Sequence, residues 1–527
     1  MNENKKDYTF LLILIVILAF ILRYYKADTA SLWADDAFSY YLSLQNITGI
    51  LKYLYTFDAH PPLFYFFLHF WVKLGQNPLF LRMPGIIIGS LSIFGVYLLC
   101  KELLNKKFAI IAAFFTALSV SHVYMCREIR MYPYLSFFII FAFYFFTKLF
   151  ARGQASELRF DGTNRNCETC PLSESAGGGL AHEQTITALP PYRSTPYIYW
   201  ILYTLCMVIS WYLHYFGIIA MISQNIIVLL FRKKINIKYW LYSQIAVLIC
   251  YAPWFKYLFY QLFSSRGPTE AGFTWKHIFL MFDYFFTSIF ISYPAKNAQV
   301  FIYAIFALCV IILIFSLINN HKNKFFIAVS FFGFYTQFVI LYAKSILTQN
   351  SMFQLRYFYY ILPLYFMIII GSFLNKEKFK PLMAAVIIPL FLFFNFMGLY
   401  NYYNVKEFTI QRWDEGARYM EQYYDKNDGI IVQNLFQTFP FNYYFKPKHK
   451  EYYVTKDSAS RQLSVAMEKH KRIWLVKSFA YYEDPNNVVE RCLLNDYKFV
   501  RGARFSNYIQ PDADITVALF EKTLHKK

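Results

Sequence analysis

From residue 8 to residue 402 the chain keeps returning to apolar runs near 20 residues long, the length at which a helix crosses roughly 30 Å of hydrocarbon. The runs fall at 8–26, 84–100, 108–126, 132–150, 197–213, 215–231, 239–257, 298–319, 325–347, 357–374 and 381–402, about eleven spans. Basic clusters punctuate them: Lys5-Lys6, Lys101 with Lys106-Lys107, Arg232-Lys233-Lys234, Lys322 with Lys324, and Lys376 to Lys380. Placing all five clusters in the cytoplasm is self-consistent for eleven helices with the N-terminus inside. The far side of the membrane then receives 27–83, 127–131, 258–297, 348–356 and everything after about 403. The first run, LLILIVILAFILRYY, has no small-residue cleavage site and reads as an uncleaved first span. Arg23 and Lys344 lie near span ends, where snorkelling explains them. Composition agrees: 57% of residues are hydrophobic, 22% aromatic and only 16% charged, so the net charge of +20 fits cytoplasmic loops, not a nucleic-acid partner.

The parts outside the lipid set the organisation. Residues 1–402 form the transmembrane domain, and 27–83 are its first external loop with juxtamembrane helices. The segment PPLFYFFLHFWVKL at 61–74 is apolar but short and carries His69 and Lys73, so it reads as an interfacial helix. Residues 151–196 lack lysine, are rich in Gly, Pro and Ser, and read as a disordered cytoplasmic insert. Residues 403–527 alternate helical and β-rich runs: helix at 412–424, strand 429–433, helix 458–471, strand 472–476, helix 488–495, strands 499–505 and 515–520. This is a small α/β domain outside the membrane, without a glycine-rich phosphate loop. The cysteines imply no disulfide framework, and Cys167-Glu168-Thr169-Cys170 has no second pair to complete a zinc site.

An ionised Asp is costly in hydrocarbon, so the acidic stretch SLWADDAFSYYLSLQNITGILKYLYTFDAHPP at 31–62 belongs in water. Ser31 can cap a short helix that sets Asp36, Ser39 and Ser43 on one polar stripe. Four far-side clusters converge with it on one membrane face: Asp35-Asp36, Asp58-Ala59-His60-Pro61-Pro62, Arg127-Glu128-Ile129-Arg130-Met131-Tyr132, and Gln354-Leu355-Arg356-Tyr357. His214-Tyr215 sits at a far-side turn beside them. Each taken alone has a plain structural use: a helix dipole partner, a headgroup anchor, a packed histidine. Collected, the carboxylates, arginines and tyrosines suit a substrate with an anionic head and a greasy tail. Asn46-Ile47-Thr48 matches a glycosylation sequon.

The stretches LWADDAFSYY, DAHPPLFYFFLHFWVKLG, LFLRMPGIIIGSLSIFGVYLL and VSHVYMCREIRMYPY resemble the GT-C-type polyprenyl-phosphate-sugar glycosyltransferases. Within them the chain is similar to the protein O-mannosyltransferase and lipid A aminoarabinose transferase-like superfamily (glycosyltransferase family 39-like). The resemblance covers about residues 1–145 and continues more loosely through HYFG at 214–217 and LRYFYYILP at 355–363. It implies an all-α polytopic GT-C fold carrying a C-terminal soluble α/β domain, and inverting sugar transfer from a polyprenyl phosphate at the outer face. It also implies that Asp35 is the general base, with Asp36 standing where many relatives have Glu. Glu128 matches the external acidic motif, with Arg130 and Tyr132 beside it, and Cys126 stands where Ser is usual. Asp36 or Glu128 is left open as a divalent-metal ligand.

Elementary chemistry is consistent with this. An acceptor hydroxyl needs a positioned base, which supplies roughly 10²–10⁴-fold. The departing lipid phosphate needs positive charge more than a proton, and Arg82, Arg130 and Arg356 can supply it. Asp58, His60, His214, Tyr215, Tyr132 and Tyr357 complete the expected donor and acceptor contacts. The expectation is thus a hexosyl- or pentosyl-transferase of a bacterial inner membrane, multi-pass, with a periplasmic C-terminal domain. Its partners are a polyprenyl-phosphate sugar, an envelope glycolipid, polysaccharide or protein acceptor, and the bilayer. A transporter or flippase, and a lipid-linked polysaccharide polymerase or ligase, are the alternative readings.

Overall fold

The structure is a computed structural model; it describes residues 7–58, 60–157, 196–263, 324–348, 355–374, 385, 388–408, 411–447, 451–454, 459–479, 484, 486–507 and 513–523. The expected span at 298–319 and most of the 151–196 insert lie outside these residues.

The N-terminal part is helical: α1 (Thr9–Tyr24), α2 (Ala34–Ser43), α3 (Ile47–Thr56), α4 (Leu63–Trp71), α5 (Pro78–Leu103), α6 (Lys106–Leu118), α7 (Val120–Cys126), α8 (Tyr132–Glu157), α9 (Tyr197–Leu213), α10 (Phe216–Leu230), α11 (Ile237–Tyr251), α12 (Phe255–Phe263), α13 (Lys324–Thr348), α14 (Leu362–Leu374) and α15 (Ile388–Asn404). A 3₁₀ turn, Leu355–Ile361, leads into α14. Among the described residues three helices are long and apolar enough to cross a membrane, Pro78–Leu103, Tyr132–Phe150 and Lys324–Ser345, or four with the bent α6–α7 pair. The expected eleven are thus not all matched at full length: several runs form apolar helices of 10–17 residues, such as Thr9–Tyr24 and Phe216–Leu230. Apolar side chains cover α1 all round. Leu12, Ile15 and Ala19 are buried, whereas Phe10, Ile13, Leu14, Ile17 and Ile21 stand exposed, as a lipid-facing helix requires. The helix α4, nine residues long, is too short to span. The α8 helix runs on to Glu157, past the start of the expected insert.

The expected span 108–126 is broken by a 61° bend between α6 and α7. Breaking a helix frees carbonyls on one side and N–H groups on the other, and both must find partners away from water. Arg23 donates to the Thr116 and Ala117 carbonyls at 3.5 and 3.3 Å, and Asn395 Oδ1 accepts from Val120 N–H at 3.1 Å. Arg23 therefore does not snorkel to the interface. It is fully buried, points into the bundle, and meets His122 Nδ1 at 2.7 Å.

The C-terminal part contains α16 (Trp413–Glu421), β1 (Gly429–Gln433), α17 (Thr438–Tyr444), β2 (Glu451–Val454), α18 (Ala459–Lys469), β3 (Arg472–Lys477), α19 (Val488–Asp496), β4 (Tyr497–Phe505) and β5 (Ile515–Lys522). Its five-stranded sheet has the order β2-β1-β3-β5-β4. β1 runs parallel to β2 and β3, and β5 antiparallel to β3 and β4. Side chains alternate across the strands, so Ile430, Val432, Trp474 and Val476 pack on α16 and α17. Ile431, Ile473 and Leu475 pack on α18 and α19 from the other face. Helices on both faces of a largely buried sheet make the expected α/β domain; β2 and α17 are the elements the sequence pattern missed.

Candidate active site

The helix α2 carries the acidic pair at its N-terminus, where the dipole favours negative charge. Ser31 does not cap it. The helix begins at Ala34, whose N–H is accepted at 2.9 Å by Oε1 of Gln411, a residue of the C-terminal part. The strap before it is pinned from both sides. Tyr444 Oη meets Leu32 N–H at 2.7 Å, and Asp414 N–H reaches Ser31 Oγ at 3.4 Å. From the helical part, Arg82 donates to the carbonyls of Ala27 and Ala30 at 2.7 Å, and of Ser31 and Arg127 at 3.0 Å. Arg82 is thus committed to holding the strap, and its remaining charge faces Asp36 Oδ2 at 3.6 Å.

Adjacent residues on a helix point about 100° apart, and the two acids enter different surroundings. Asp36 turns inward. It is 1% exposed and accepts from Ile129 N–H at 2.7 Å. Burial first, then the Asp35 charge, push its carboxyl up to about 6 against the opposing pull of Arg82. Glu128 lies near it, accepts from Trp33 Nε1 at 2.6 Å, and is driven well above the usual range by burial and by Asp36. The expected polar stripe is therefore interior: Ser39 and Ser43 are buried with Asp36.

Asp35 turns toward cations. Arg356, at the 3₁₀ turn before α14, pairs with its Oδ2 and also lies over the Trp33 ring. Burial raises the Asp35 carboxyl, but Arg356, Arg130 and His60 outweigh it and hold it below its ordinary value. Arg130 reaches Ser39 Oγ at 3.2 Å and Tyr65 Oη at 3.4 Å, and its buried Nε has no partner among the described residues. Asp58 accepts from His60 Nδ1 at 2.7 Å and from Tyr65 Oη at 2.9 Å. A carboxylate can only accept, so Nδ1 carries the hydrogen and the ring is fixed with Nε2 as its other polar atom. Burial would lift Asp58, yet His60, Arg130 and Tyr65 keep it below the carboxylate range.

His214, at the turn between α9 and α10, meets His60 edge to face, with ring centroids 5.3 Å apart, and lies tilted against Tyr132 and Tyr357 at 5.7 and 6.3 Å. Burial first, then His60 and Arg130, hold it neutral. Tyr215 faces the other way. It donates to Gln261, which in turn ties down the Leu54 and Asp58 carbonyls at 2.9 Å. Asn46, in the sequon, caps α3 by accepting from Gly49 N–H at 2.7 Å. Asp35, Asp58, His60, Arg130, Tyr132, His214, Arg356 and Tyr357 therefore form one neighbourhood, Asp36, Arg82 and Glu128 its inner support, and Tyr215 an outer brace. Sequence reasoning missed Gln411 and Tyr444, which carry no motif. It missed Tyr65 too, although that residue lies within the apolar stretch that follows His60-Pro61-Pro62.

Among the described residues no group of three or more His, Cys, Asp or Glu side chains is placed to hold a metal ion. Asp36 accepts from Ile129 N–H and Glu128 from Trp33 Nε1.

Residues 59–162 match the family model of the dolichyl-phosphate-mannose-protein mannosyltransferases. No curated protein sequence matches the chain. Among solved structures, ArnT from Cupriavidus metallidurans in the apo state is similar with a TM-score of 0.54 at 9% identity, over 97% of this chain and 98% of that one. The Archaeoglobus fulgidus oligosaccharyltransferase in its apo form matches with a TM-score of 0.51 at 13% identity, over 99% of this chain and 75% of that one. The chain therefore has the GT-C fold of these membrane glycosyltransferases; the stretch matched by the mannosyltransferase model carries His60, Arg82, Glu128, Arg130 and Tyr132 of the site, whereas Asp35, Asp36, Asp58, His214 and Arg356 lie outside it.

Proposed function

We propose that this protein is an inverting glycosyltransferase that moves a hexosyl or pentosyl group from a polyprenyl phosphate to an envelope acceptor. The observation that carries the reading is the Asp35 carboxylate paired with Arg356 beside Arg130 and the Asp58–His60 pair. A base and a phosphate-receptive pair of guanidiniums at one place is what such a transfer needs. In the step, the acceptor oxygen bonds to the anomeric carbon as the bond from that carbon to the phosphate oxygen breaks. The acceptor proton goes to Asp35, and the polyprenyl phosphate leaves as an anion next to Arg356 and Arg130. A donor phosphate competes with Asp35 for Arg356, which frees the carboxylate and raises its basicity when the donor is in place. The matched family's name includes a dolichyl-phosphate sugar, which supports a lipid-phosphate donor. We propose the same orientation as the charge pattern: about eleven spans of an inner membrane, N-terminus cytoplasmic, C-terminal domain outside.

The test uses purified protein, a panel of labelled sugars on polyprenyl phosphate or on nucleotides, and total envelope extract as acceptor. Turnover of one lipid-linked donor, with the anomeric configuration inverted in the product, is expected. Turnover of nucleotide sugars only overturns the lipid-phosphate donor, and turnover of none with folded protein overturns the reading and favours a transporter.

A further inference from the structure

Beside the arginine-rich site lies a second charged cavity that the transfer step does not use. It measures about 320 Å³ and sits where the strap at 26–31, the end of α15 and the first turns of α16 meet. Five cations line it, Lys26, Arg127, Lys406, Arg412 and Arg418, against two acids, Asp414 and Glu415. Those acids are already matched: Glu415 pairs with Arg412 and, at 3.4 Å, with Lys406, while Asp414 pairs with Arg418 at 2.7 Å. Lys26 and Arg127 are left over. Among the described residues Lys26 Nζ meets neutral groups, the Tyr403 carbonyl at 3.1 Å, Asn404 Oδ1 at 3.0 Å and the Tyr25 ring at 5.4 Å. Arg127 is 4% exposed, lies over the Tyr402 ring at 4.8 Å, and donates to the Lys26 carbonyl. Its Nε is buried without a hydrogen-bond partner among the described residues. No carboxylate among the described residues pairs with either cation.

A buried guanidinium without a counter-ion is costly, and proteins keep one where an anion arrives to pair with it. The cavity shares walls with the surroundings of Asp36. Ala30, Ser31, Arg127 and Tyr402 line a smaller space of about 30 Å³ as well, whose other walls include Trp33, Asp36, Arg82 and Glu128. We infer that the 320 Å³ cavity is a binding site for an anionic group, a phosphate or carboxylate held by Lys26 and Arg127, carried by the acceptor. Resting on the transfer reading for its carrier, this site places the anion of an acidic acceptor on the Asp36 side of the site, beyond Trp33 and Glu128. The anion itself is tested without any turnover, so the two readings fail separately.

The experiment follows thermal unfolding of the purified full chain in neutral phosphatidylcholine nanodiscs with inorganic phosphate added. At a hundredfold excess over the dissociation constant the midpoint is expected to rise by about 2–5 °C. The rise should persist in Asp35→Asn and Arg356→Gln, which leave this cavity intact, and vanish in Lys26→Gln and in Arg127→Gln. Lys26→Gln decides alone if Arg127→Gln does not fold. No rise in the wild type, or a rise that survives Lys26→Gln, overturns the site; so does a rise lost in Arg356→Gln, which assigns the anion to the donor site. Anionic phosphatidylglycerol in the nanodisc tells the sources apart. An unchanged response to phosphate supports the acceptor's anion, and a response abolished by the lipid overturns that carrier in favour of a headgroup.

Discussion

Asp35 and Asp36 are chain neighbours with opposite chemistry. Asp35 is held ionised by surrounding cations, whereas Asp36 is desolvated beside Glu128 and reaches about 6. The folded state binds the Asp36 proton more tightly than the unfolded chain, so this residue's contribution to stability is full below about pH 4 and is lost as pH rises through about 6. The thermal midpoint of Asp36→Asn should therefore fall less than that of the wild type between about pH 4 and pH 7, because the amide cannot ionise. Parallel curves would show that Asp36 does not titrate there. The pair itself was legible in the sequence, since two carboxylates in an external loop stand out. Their division was not, because it depends on Arg356 and Ile129, which lie far along the chain from α2.

At the scale of elements, α5 approaches α7 closely enough to exclude side chains at the crossing. A Cβ on Gly89 would stand 2.1 Å from Cys126 Sγ, and one on Gly85 would stand 2.7 Å from the Cys126 carbonyl. Small residues at this spacing let helix backbones pack tightly where no hydrophobic effect drives them together. Gly89→Ala is expected to cost about 1–3 kcal/mol of stability by overpacking. Adding Cys126→Ala should return part of that loss, since the two sites share one space. Thermal unfolding of the single and double variants checks this; strictly additive losses would contradict the contact. Apolar runs announced the helices, but the break at Ser119 was hidden because 108–126 is apolar throughout and its partners, Arg23 and Asn395, are remote. In the C-terminal part, β1 was read at its observed bounds, whereas the four-residue edge strand β2 and the aromatic, proline-containing α17 offered no usable period.

At the scale of the molecule, the C-terminal domain is part of the site's construction. Gln411 accepts from Ala34 N–H at the start of α2 and from Trp413 Nε1, while its amide donates to Gln437 and Ser478. Phe436 and Phe439 pack on Phe38 of the same helix. Removing the Gln411 amide strands buried donors, each worth about 1–3 kcal/mol. Gln411→Ala should lower kcat at least tenfold while donor KM changes little, and Gln411→Glu, which keeps an acceptor, should recover part of it. Equal kcat in Gln411→Ala and the wild type would make the domain's contact with α2 incidental. Nothing in the sequence pointed to Gln411, because its meaning lies in a contact across most of the chain.

In the proposed transfer Asp35 takes the acceptor proton while Arg356 and Arg130 receive the departing phosphate. Its most direct measurement is the rate of sugar release from a labelled polyprenyl-phosphate donor by Asp35→Asn, beside wild type and Asp36→Asn, with folding checked by thermal unfolding. The expected result is a loss of roughly 10²–10⁴-fold in Asp35→Asn, with a smaller loss in Asp36→Asn. Wild-type turnover by folded Asp35→Asn would contradict it.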